Sequence, residues 1–160
     1  MYHRVFGTND AAADPAELLD HLHGLDFEVT GSFRGDAQGW FRAELVYPDA
    51  DARLELQRFL ATEEGIRAQL NTWAAWLETA CPDEPKWMQH MISSTQVFTL
   101  QCVSDEADEE LVETLSVALC RFLATETAGI YQVDGRGFFN AAGKVIAEEA
   151  PESWPLTPDS

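Results

Sequence analysis

The chain has 160 residues, 46% of them hydrophobic, with nine Phe and five Trp, which is enough material for one core without disulfide or metal staples. Twenty-eight acidic against ten scattered basic residues give a formal charge of -18, so nucleic-acid binding and attraction to anionic membranes, which both draw on clustered Lys and Arg, are disfavoured. Cys81, Cys102 and Cys120 are too few and too far apart for a disulfide framework, and no run approaches eighteen apolar residues; a cytoplasmic, reducing setting is expected.

In chain order, residues 1–13 read as a flexible N-terminal arm ending in Asp10-Ala11-Ala12-Ala13. A short helix follows, with Asp14 as N-cap, Pro15 at N1, Glu17 placed to close a capping box and Gly24 at C′. Phe27, Val29 and Phe33 then alternate with Glu28, Thr30, Ser32 and Arg34, as in a half-buried strand. After the turn-like Gly35–Gly39, Trp40 to Tyr47 alternate again, with Phe41, Ala43, Leu45 and Tyr47 on one side and Trp40, Arg42, Glu44 and Val46 on the other. The two runs predict a β-hairpin.

Pro48 ends it. Asp49 or Asp51 is placed to cap a long helix whose apolar positions are Leu56, Phe59, Leu60, Ile66, Leu70, Trp73, Ala74 and Leu77, with an irregularity at Gly65. Ala80 to Ile92, with Pro82 and Pro85, reads as connection, and Ser94 to Val103 as a central strand. Ser104 or Asp105 is placed to cap a second amphipathic helix with Leu111, Leu115, Ala118, Leu119, Phe122 and Leu123 on its buried stripe. Ile130–Val133 and Phe138-Phe139 predict two short strands around Asp134–Gly137, and 151–160 a flexible tail.

One echo stands out. Arg58-Phe59-Leu60-Ala61-Thr62-Glu63 recurs as Arg121-Phe122-Leu123-Ala124-Thr125-Glu126, which a duplicated unit would explain. The predicted fold is therefore α+β over 14–150: a two-layer α/β sandwich, ferredoxin-like or related, with a mainly antiparallel sheet of four or five strands and two main helices on one face.

Chemical signals in the sequence are weak. The acidic run Asp105 to Glu113 lacks the glycine and the Asp/Asn alternation of a calcium loop and reads as a solvated helix start. His21 and His23 do not share a helix face, and Cys81 with His90, or Cys102 with His90, are pairs only if the fold unites them. Gly135-Arg136-Gly137 lacks the long loop and the Lys-Ser or Lys-Thr of a phosphate cradle and reads as a turn, with Arg136 free for an anion. No metal or cofactor site is expected.

If the helices cover one sheet face, the other presents Trp40, Arg42, Arg34 and Gln101, with Arg136 nearby, as a ligand-binding or interface surface. The expected function is an interaction or regulatory module that forms a homo-oligomer through this face. The alternative is a small-molecule hydrolase or transferase with an Arg- and carboxylate-lined cleft, so that enzymatic activity is left open.

Overall fold

The computed structural model describes residues 1–148. In chain order these form β1 (Tyr2–Gly7), α1 (Pro15–Gly24), β2 (Thr30–Asp36), β3 (Gly39–Tyr47), a 3₁₀ turn (Pro48–Ala50), β4 (Ala52–Leu60), α2 (Ile66–Ala80), α3 (Pro85–Ile92), β5 (Gln96–Cys102), α4 (Glu109–Glu126), β6 (Ile130–Val133), β7 (Gly137–Asn140) and β8 (Val145–Glu148). All eight strands join one sheet in the order β2-β3-β4-β5-β1-β6-β7-β8, and every pair of neighbours is antiparallel. The fold is mixed α+β, with helices α1 and α4 side by side on one face. The sheet is wider than the four or five strands expected, and its order is not the split arrangement predicted for a ferredoxin-like sandwich.

The local signals that succeeded have capping and alternation behind them. Asp14 caps α1 by accepting hydrogen bonds from the backbone N–H groups of Ala16 and Glu17, and Pro15 begins the helix. The left-handed residue past the end of α1 is Asp26 rather than Gly24. Leu18 and Leu22 bury their side chains against the same core as Leu115, Leu119 and Leu123 of α4. That core also holds Ala43, Leu45, Leu54, Leu56, Phe98 and Leu100, the alternate residues of β3, β4 and β5.

Five expectations fail. The presumed arm contains β1, a central strand between β5 and β6. Its His3, Arg4, Val5 and Phe6 are all buried, so it lacks the half-polar alternation that marks a strand in sequence. The expected long helix after Pro48 is instead β4 followed by α2. Ala52, Leu54 and Leu56 point into the core at period two, and α2 starts only after Gly65, whose φ of 83° suits glycine and few other residues. Part of the presumed connection after Ala80 is α3, started by Pro85 at its first position. The cap of α4 is Asp108, which accepts from the Leu111 amide at 3.1 Å, four and three residues beyond Ser104 and Asp105.

The fifth failure matters most for function. Consecutive strand residues point to opposite faces, and Phe6, Val97 and Ile130 belong to a second core with Leu70, Trp73, Trp76 and Leu77 of α2 and Met91 of α3, whereas Val5, Phe98 and Tyr131 belong to the core under α4. The two main helices are thus not partners on one face: α4 lies with α1, and α2 with α3 covers part of the other. The driving surface is aromatic. Phe138 stacks on Trp76 at 5.5 Å, meets Trp73 edge-on at 5.6 Å and lies 6.0 Å from Phe6. The tail expected at 151–160 lies outside the described residues.

Candidate functional site

Register across the second face sorts its side chains into rows. Phe59, Val97, Phe6 and Ile130 are mutual neighbours and form an apolar row, which α2 and α3 cover. The next row on this face is polar: Arg34, Arg42, Gln57, Thr99, Arg4 and Gln132 lie opposite one another from β2 through to β6. Beyond it run Ser32, Glu44, Glu55, Gln101 and Tyr2. Over β5, β1 and β6 the polar rows end against α2, where Arg4 is buried, donates to Gln132 and Asp134 at 2.8 Å each, and lies 5.5 Å from the Trp73 ring. Burial pushes the Asp134 carboxyl upward, but hydrogen bonds from Gln132 and the Tyr2 amide, with the Arg4 charge, hold it below the ordinary Asp value.

Over β2, β3 and β4 the same rows are open. Arg42 reaches Glu55 at 3.2 Å and Arg53 pairs with Glu44, with half of the Arg42 and Glu44 side chains still exposed. Like charges stand directly opposite one another twice: Arg34 faces Arg42, and Glu44 faces Glu55. Such cross-strand pairs are unfavourable in an isolated sheet.

The structure brings together Arg34 and Arg42 on this open surface, with Gln101 in the adjoining row beside Glu55. It does not add Trp40 or Arg136. Trp40 is only 5% exposed, packs 5.6 Å from Phe98 and donates its indole N–H to the Ala13 carbonyl at 2.7 Å, so it belongs to the core under α1 and α4. The cause is a bulge. Arg34 pairs with Arg42 but Gly35 with Trp40, which leaves Phe41 as an extra residue and turns both Trp40 and Ala43 inward. Phe41, expected inside, is 46% exposed. Arg136 lies in the β6–β7 turn and pairs with Glu113 of α4 at 2.6 Å, at the opposite side of the molecule from Arg34.

A second feature lies on the α4 face. His3 stands between Leu100 and Val133 on the neighbouring strands, and Cys102 is its diagonal neighbour on β5. Glu109, Val112, Glu113 and Ser116 recur at helical spacing and turn the start of α4 toward them. Together with Met1, Ser104, Asp105 and Ala107 they line a cavity of about 290 Å³. His3 is 5% exposed, and its Nε2 has no hydrogen-bond partner. Burial, partly opposed by the Asp134 charge, lowers its pKa to about 4, so the ring is neutral at neutral pH. This site is hidden in the sequence because His3 lies in a buried run without the polar alternation of a strand; the helical spacing of Glu109, Glu113 and Ser116 is its legible part.

The other histidines are engaged elsewhere. His23 contacts the Val29 carbonyl at 2.7 Å, the His21 ring lies tilted against Phe122 at 4.8 Å, and His90 of α3 contacts the Phe6 carbonyl at 3.2 Å. The Cys102–His90 pair does not form, because Cys102 faces α4 and His90 belongs to α3 across the sheet. Among the described residues no group of three or more His, Cys, Asp or Glu side chains is placed to hold a metal ion, and no helix is long and apolar enough to cross a membrane. The Arg58-to-Glu63 echo is not a repeated unit: the first copy ends a strand and the second lies within α4. In comparisons with known proteins no family model matched the chain, and no curated protein or solved structure matched it.

Proposed function

We propose that the protein is an interaction module that self-associates through the open β2–β3–β4 half of its sheet. The observation that carries this reading is the pair of adjacent rows of opposite sign, Arg34 and Arg42 beside Glu44 and Glu55. A two-fold axis running across the strands between these rows lays each copy's basic row over the other's acidic row. Arg42 of one copy then faces Glu44 of the second, twice per dimer, and the like-charge pairs gain partners of opposite sign.

Size sets the strength. Three strands about 4.8 Å apart and about 30 Å long present roughly 400 Å² per copy, the scale of a weak, reversible contact rather than an obligate interface. Each copy carries a charge of -18, and that general repulsion keeps the contact dependent on ionic strength. The free thiols Cys81, Cys102 and Cys120 fit the cytoplasmic setting of the proposal.

Sedimentation equilibrium at high protein concentration tests it. Wild type should show a monomer–dimer equilibrium, and Arg42→Glu or Glu44→Arg alone should remove it, because each lays like charges on like. An equimolar mixture of the two variants should associate again, since both intersubunit pairs are then of opposite sign. A wild type that stays monomeric, or a mixture no more associated than its components, overturns the proposal.

A further inference from the structure

The His3 cavity has three properties that core packing leaves unexplained. A histidine 5% exposed keeps an unpartnered Nε2, whereas buried polar atoms in folded proteins are nearly always hydrogen-bonded. The cavity mouth is acidic: Asp105 and Glu109 have no ion-pair partner among the described residues, while Glu113 is taken by Arg136 at 2.6 Å. Between these polar ends the wall is apolar, formed by Ala107 and Val112. At about 290 Å³ the space lies at the lower limit of small-molecule pockets.

We propose that this cavity binds a small organic ammonium ion that also bears a hydroxyl group, with the ammonium at Asp105 and Glu109, the hydroxyl at His3 and the carbon stem on Ala107 and Val112. A hydroxyl suits His3 in either neutral tautomer, because it both donates and accepts. The Asp105 and Glu109 carboxylates and a ring that carries no positive charge disfavour a carboxylate or phosphate ligand, against the positive charges of the N-terminal amine, Arg136 and Arg4 that also act on His3. Ser116, buried on α4 beside the cavity, supplies a further hydroxyl that can bond either the ligand oxygen or its nitrogen. The site lies on the face opposite the proposed dimer surface and is independent of it.

Ethanolamine is the smallest probe that carries both groups, with n-propanol as its neutral counterpart and glycolate as its anionic one. In two-dimensional NMR of the full chain, ethanolamine should produce saturable shifts at the His3 ring, Cys102 and residues 105–116, with millimolar affinity. The two counterparts should not. Glu109→Gln, an exposed change on the first turn of α4, should weaken binding about fivefold. Glu106→Gln, outside the cavity, and Arg42→Glu, on the other face, should leave it unchanged. Absence of saturable shifts, equal response to n-propanol or glycolate, or a Glu109→Gln variant that binds as wild type overturns the assignment.

Discussion

Lowering the pH from neutrality to about 4 should expose the cost of burying His3. In the unfolded chain its imidazole titrates near 6.5, and in the folded protein at about 4. Above 6.5 both states hold a neutral ring and the residue contributes nothing to pH dependence. Between 6.5 and 4 the unfolded chain binds a proton that the folded one refuses, so stability falls as pH falls. Below about 4 both are protonated and the loss is complete. The difference between the two pKa values amounts to ~3 kcal/mol, and with His3 only 5% exposed little of it is screened.

The raw curve contains other contributions. Protonating the exposed carboxylates relieves the repulsion of a chain of charge -18 and acts in the opposite direction, whereas Asp134, held below the ordinary Asp value, and His90, whose pKa burial also lowers, act in the same direction. The measurement is therefore a difference: urea unfolding of wild type and His3→Gln across this range. Wild type should lose about 3 kcal/mol relative to the variant. The midpoint of the His3 ring signal in NMR provides a check that needs no substitution, and it should lie near 4. Parallel stability curves, or a ring that titrates at 6.5, refute the reasoning.

Phe138→Ala should destabilise the domain by about 3–5 kcal/mol in denaturant unfolding and alter tryptophan fluorescence, because Phe138 fills the space between Phe6, Trp73 and Trp76; a change below about 1 kcal/mol would remove α2 from the sheet. Arg58→Leu should cost about 3 kcal/mol or more. The buried guanidinium donates to Gln96 at 2.6 Å and to the carbonyls of Gln38, Trp40 and Asp10, and leucine strands those acceptors; hydrogen exchange should accelerate first in residues 9–13 and the β2–β3 turn, and a uniform response would argue against this anchoring role.

What the sequence determined by itself is local. The β2–β3 hairpin, the central β5, the Asp14–Pro15 start of α1 and the buried stripe of α4 all follow from alternation, capping and helical spacing. Within the candidate surfaces it placed Arg34, Arg42 and Gln101 on one side of the sheet, but an extra residue at Phe41, invisible in the pattern, moved Trp40 to the other. The His3 site was illegible because its members come from residues 1–3 and 102–116 and meet only through the register of β1 with β5 and the packing of α4.

Tertiary structure decided the rest, and the repeated hexapeptide shows how. At Arg121–Glu126 the six residues lie at the end of an 18-residue helix already propagated from Asp108, where each further turn adds hydrogen bonds at little entropic cost. At Arg58–Glu63 the same residues follow a strand whose Ala52, Leu54 and Leu56 are committed to the core. Arg58, Phe59 and Leu60 pair with β5, and the Glu63 carboxylate then accepts from the Leu60 amide at 2.6 Å. Six residues do not carry enough intrinsic preference to outweigh the hydrogen-bond ladder or the helix they are joined to.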